Sequence, residues 1–253
     1  LNAMLLENKV AVVYGAGGTI GGAVARAFAR EGARVFLAGR TGATLGKVAA
    51  DIRAAGGAAE TAEVDALDED AVETFAAAVA ARAGGIDVCF NAIDVQDVQK
   101  PLMEITAEEF VRPILTATRT HFLTTRAAVR HMIPRGSGVI LLFGGGGPQT
   151  VPGLGGFKVA LDALEGLRRQ WACEAGKHGV RVVTMVTGGV PESLPEDFPG
   201  REELTAALNG ETLLGRAATL ADVGNVAAFV ASDLARTMTS ATVNVSCGAI
   251  VDH

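Results

Sequence analysis

Seven short apolar runs, each followed by a stretch with helical spacing, constrain this chain more than any other feature. The runs are "KVAVVY" (9–14), "ARVFLAG" (33–39), "AAETAEVD" (58–65), "IDVCFNA" (86–92), "GVILLFG" (138–144), "VRVVTMV" (180–186) and "ATVNVS" (241–246). Between them lie "GGAVARAFAREG", "TGATLGKVAADIRAAGG", "DEDAVETFAAAVAARAGG", a long stretch around 106–132, a helix from about 155 to 177, and "LADVGNVAAFVAS". Strands separated by helices pair in parallel, and both faces of such a sheet must be covered. Right-handed crossovers then give an α/β fold, a doubly wound seven-stranded parallel sheet with helices on both faces and ligands at the carboxyl ends of its strands. No linker or composition shift divides the chain, so 4–253 is expected to form a single domain. The segment 188–210 breaks the alternation with three prolines and many charges. It reads as a lid or specificity insert, or else as a solvated surface excursion.

Composition narrows the function classes. Hydrophobic residues make up 49% of the 253, enough for a sizeable core. The net charge of −6, with no basic run, argues against nucleic acid as a partner. No apolar run reaches about 18 residues without a charge or glycine break, so no membrane span is expected, and no signal peptide is read ahead of the first strand. Cys89, Cys173 and Cys247 are scattered, with no CxxC and no nearby histidine pair. They read as reduced thiols of a cytoplasmic protein, with neither a disulfide frame nor a metal site.

"VVYGAGGTIGGAVA" lies where the first strand turns into the first helix. Glycines there let backbone N–H groups face a pyrophosphate at the positive end of the helix. Gly15 suits the tight turn and Gly21 suits close packing of the helix. At the end of the second run, Gly39 is followed by Arg40. An acid there would accept the ribose hydroxyls of NAD, whereas a guanidinium can grip a 2′-phosphate. A solvent-facing arginine is the plain alternative.

With these residues in place the chain resembles the classical short-chain dehydrogenase/reductases, from about Lys9 to Val251. "YGAGGTIG" (14–21) is similar to that family's TGxxxGxG, with Tyr14 in place of the threonine and Thr19 in place of the middle glycine. The resemblance implies a Rossmann-type fold that binds NADP, or NAD, through Gly15, Gly18, Thr19, Ile20 and Gly21, with Arg40 favouring NADP. Asp65 takes the place of the aspartate that meets the adenine amino group. Asn91 matches the first asparagine of NNAG, but Ala92, Ile93 and Asp94 follow it. "LLGRAATLADVGNVAAFVASD" (213–233) and "VSCGAIVD" (245–252) resemble the late segments that build the family's oligomers, so a homo-oligomer, dimer or tetramer, is implied.

The family's chemistry uses an asparagine, a serine, a tyrosine and a lysine. "KVALDAL" supplies the lysine, Lys158, which is also expected to hold the nicotinamide ribose. Counting back four places gives Leu154 where the tyrosine is expected, on the same helix. The serine position falls at Gly145 and the asparagine position at Ala117. Leu, Gly and Ala carry no titratable group. His121, one helical turn after Ala117, is the candidate substitute acid, while Thr150 and Gln149 can only hydrogen-bond a substrate carbonyl. Two expectations follow. The chain is an NADP-preferring oxidoreductase acting on a small-molecule carbonyl or alcohol, or it is a non-catalytic nucleotide- or metabolite-binding homologue or inactive partner subunit.

Overall fold

The computed structural model describes residues 4–144 and 150–251. Seven parallel strands form one sheet in the order β3-β2-β1-β4-β5-β6-β7, a Rossmann-like doubly wound arrangement. They are β1 (Val10–Tyr14), β2 (Arg34–Gly39), β3 (Ala58–Glu63), β4 (Val88–Asn91), β5 (Gly138–Phe143), β6 (Val180–Val186) and β7 (Ala241–Asn244). The helices are α1 (Thr19–Arg30), α2 (Gly42–Ala54), α3 (Glu69–Ala83), α4 (Ala107–Met132), α5 (Phe157–Ala175), α6 (Arg201–Gly210) and α7 (Leu220–Ala231).

Strand alternation sorts the core into two layers. Ala11, Val13, Val35, Leu37, Val88, Phe90, Val139, Leu141, Val183 and Met185 face α1, α2 and α7. Val10, Val12, Tyr14, Phe36, Ala38, Cys89, Ile140, Leu142, Val180 and Val182 face α3, α4 and α5. Because both faces are buried, the central strands read as continuous apolar runs. Helix starts are set locally. Thr106 and Glu109 form a capping box at α4, and Thr219 and Asp222 form one at α7.

Three expected boundaries change. β3 stops at Glu63, so Val64 and Asp65 begin the loop beyond it. The segment 188–210 carries a single 3-10 turn (Pro191–Ser193) and α6. The helix expected from about 155 to 177 is α5, which starts only at Phe157. Gly155 is left-handed, with φ 56°, and a Cβ on Gly156 would run into the backbone carbonyl of Phe110. Helical winding therefore cannot extend back through this pair to residue 154.

Candidate functional site: a cleft at the carboxyl edge

The strand order reverses between β1 and β4, and the loops leaving these strands part above the sheet. A cleft of about 280 Å³ opens there, floored by Tyr14 and Gly15 and walled by Arg40, Asp65, Asp94 and Thr116. The glycine turn fits against its neighbours by lacking side chains. Gly15 has φ 74°, and a Cβ on it would strike the carbonyl oxygen of Ala92. A Cβ on Gly21 would strike the carbonyl of Gly15, so this glycine permits close packing against the turn itself. Gly18 is the N-cap of α1 in extended conformation, and no side chain caps the helix. The first backbone bond into α1 is Gly22 N–H to the Gly18 carbonyl. The amides of Thr19, Ile20 and Gly21 thus stand at the positive end of α1 as donors for an anion. Gly17 and Gly18 line the cleft, and Thr19 at the start of α1 is exposed.

Beside the glycine turn, Arg40 leaves β2 exposed and lines the cleft with Gly39, Thr41 and Thr44. Asp65 faces it from the loop after β3, with Oδ1 accepting from the Leu67 amide at 3.0 Å. Asn91, fully buried at the end of β4, points its amide nitrogen 3.9 Å from the Cys89 sulfur, and its Oδ1 has no partner. Asp94 lines the cleft too. Its carboxylate accepts from the Gln96 amide at 3.0 Å, which ties it into its own loop. These features fit a dinucleotide: uncapped amides for a pyrophosphate, a cation beside them, and a carboxylate with one oxygen left for an adenine amino group.

Among the described positions that bear on chemistry, Lys158, Leu154, Ala117 and His121, none lines this cleft. Lys158 sits in the first turn of α5, half-buried, with its ammonium 2.8 Å from Asp162. Leu154 precedes the helix, and its carbonyl accepts from the Phe157 amide. The expected one-turn relation between residues 154 and 158 is therefore absent. Ala117 is buried in a small apolar cluster with Val95, Ala160 and Leu164. His121 is 1% exposed, with Nδ1 donating to the Ala117 carbonyl at 2.9 Å and Nε2 buried without a partner. Burial lowers its pKa to about 4, so the ring is neutral at physiological pH. Gly145 and Gln149 lie outside the described residues, and Thr150 is exposed.

Sequence reasoning missed the contribution of α4 to the cleft. Thr116 and Thr120 line it one helical turn apart, and the Thr120 hydroxyl donates back to the Thr116 carbonyl at 2.7 Å. The stripe of threonines at 116, 120 and 124 is the signal that was available, since i and i+4 share a face. Tyr14 packs edge-on to Phe75 and also reaches the cleft floor, and burial raises its pKa well above the ordinary phenol value. Among the described residues no group of three or more His, Cys, Asp or Glu side chains is arranged to hold a metal. No helix among them is long and apolar enough to cross a membrane.

Comparisons with known proteins agree on the kinship. The model of the family described as Enoyl-(Acyl carrier protein) reductase matches residues 15–249. The chain is 32% identical to meso-2,3-butanediol dehydrogenase of Serratia marcescens, covering 97% of this chain and 96% of that one. It is 29% identical to L-rhamnose 1-dehydrogenase (NAD(P)(+)) of Azotobacter vinelandii, over 98% and 99% of the two chains. The crystal structure of a dehydrogenase/reductase from Sinorhizobium meliloti 1021 superposes with a TM-score of 0.85 at 26% identity, covering 98% of both chains.

Proposed function

The chain belongs to the short-chain dehydrogenase/reductase family of NAD(P)-dependent oxidoreductases, and on that premise we propose that it is an NADP-preferring oxidoreductase acting on a small carbonyl or alcohol. The carrying observation is the cleft itself, which brings an uncapped α1 and the Arg40 guanidinium to one opening. In this reading Gly15, Gly18 and the amides of Thr19, Ile20 and Gly21 hold the pyrophosphate. Arg40 meets the 2′-phosphate, Asp65 the adenine amino group, Asn91 supports the turn at β4, and Lys158 holds the nicotinamide ribose. When bound, the nicotinamide supplies or accepts the hydride.

What this chain's residues do about the accompanying proton sets it apart. Leu154 and Ala117 carry no proton, and Gly145 has no side chain to hold a substrate oxygen. We assign His121 to the core, because a buried neutral imidazole bonded to its own helix has no proton to give at neutral pH. Water then supplies the proton, next to the ammonium of Lys158, and the missing general acid lowers the rate by about 10²–10⁴-fold. The segment 188–210 acts as a specificity lid on a single domain. Glu192 ties it to the α7 amide of Leu220 at 2.7 Å, and Asn209 ties it to the Ala217 amide at 2.8 Å. We place the chain in the cytoplasm on its free thiols. An exposed apolar stripe on α4, Val111, Leu115 and Phe122, supports a homo-oligomer.

A second reading, a nucleotide-binding homologue without catalysis, is favoured by one observation: Leu154 lies outside α5 altogether. Turnover separates the two. The oxidoreductase reading expects slow NADPH oxidation with members of a broad carbonyl panel, abolished by Lys158→Ala. Tight nucleotide binding with no reaction above the buffer rate across the panel would establish the second reading instead.

A further inference from the structure

Among the described residues the cleft is lined by one cation, Arg40, and two carboxylates, Asp65 and Asp94. A third carboxylate stands just behind the cation. Glu63 ends β3, in register with Gly39 of β2, the residue before Arg40. Side chains alternate along the strand, so Glu63 shares the face of Ala59, which packs in the layer of α1 and α2. A Cβ on Gly42, the first residue of α2, would overlap the Glu63 carboxylate and lie 3.2 Å from its carboxyl carbon. This helix is also uncapped. Thr41 makes no side-chain cap, and the first helical bond is Leu45 N–H to the Thr41 carbonyl. The Glu63 carboxylate therefore lies over the positive end of α2, where an incoming anion beside Arg40 would otherwise have the field to itself. Gly17 closes the remaining side, since a Cβ there would overlap the Thr44 hydroxyl, and it brings no charge.

We propose that Glu63 is a specificity-determining residue that opposes Arg40, weakening the grip on a 2′-phosphate and so narrowing the preference for NADP(H) over NAD(H). The inference rests on the cofactor reading above. A 2′-phosphate carries close to two negative charges, while the free ribose hydroxyl carries none, so the opposition falls on one cofactor alone. Glu63 does not itself line the cleft, and neither Glu63 nor Arg40 is ion-paired with another described residue, so the carboxylate acts on what Arg40 meets through the field at the start of α2.

Calorimetric titration of the full chain with NADPH and with NADH tests this, using wild type, Glu63→Gln and Glu63→Ala. Both variants should fold, since the side chain is exposed, and circular dichroism checks that they do. Glu63→Gln should tighten NADPH about fivefold and leave NADH nearly unmoved, with the gain shrinking as salt is raised. Glu63→Ala should act in the same direction. An NADPH-to-NADH affinity ratio that neither variant changes, with both nucleotides bound, overturns this inference and leaves the cofactor reading standing. A wild-type chain that binds neither nucleotide overturns the cofactor reading and this inference with it.

Discussion

His121, the candidate substitute acid of the sequence, is buried in the fold and bonded to its own helix. Its Nδ1 donates to the Ala117 carbonyl, the residue is 1% exposed, and burial lowers its pKa from 6.5 to about 4. In the unfolded chain the same ring titrates at its ordinary value. Between those two values the unfolded state binds the extra proton, so the contribution is full above pH 6.5 and is lost as pH falls towards 4. The loss amounts to about 3 kcal/mol of stability across that window. Urea denaturation at a series of pH values should show this slope in wild type and lack it in His121→Asn. An identical slope in the variant would mean that other groups account for the acid loss.

At the scale of elements, the start of α5 decides what chemistry the site retains. Gly155 at φ 56° and Gly156 against the Phe110 carbonyl hold Leu154 off the helix. Leu154→Tyr should therefore fail to raise turnover by even about tenfold, against the 10²–10⁴-fold expected from a working general acid. Steady-state rates on any active carbonyl check it, and a hundredfold gain would show that residue 154 can reach the reacting atoms after all. This is also where the sequence was least legible. Strand alternation and the glycine turn are local signals, so β1, β2, β5 and β6 fall within a residue or so of the runs that announced them. The α5 boundary depends instead on the left-handed backbone of Gly155, packed where Gly156 meets the Phe110 carbonyl, which no periodicity records. Gly15 and Arg40 directly follow the ends of β1 and β2, and Asp65 comes two residues after β3, so strand ends in the sequence point to the residues that line the cleft. Glu63 was passed over because its role depends on pairing with β2 and on the bare Cα of Gly42.

For the whole molecule, the seven-stranded sheet and its two helical layers place one cleft at the reversal of strand order, and the functional reading stands on what enters that cleft. Kinship supports hydride chemistry, and on the proposal that Leu154, Ala117 and Gly145 stand at the family's catalytic positions, no side chain there carries the accompanying proton. Nucleotide recognition is the part that both readings share and from which the rest is built. The most direct measurement is an equilibrium titration of the wild-type chain and of Arg40→Ala with NADPH. The account predicts saturable binding near the micromolar range, weakened about tenfold or more when the guanidinium that meets the 2′-phosphate is removed. Absence of binding by the wild type, or binding that Arg40→Ala leaves untouched, would contradict it.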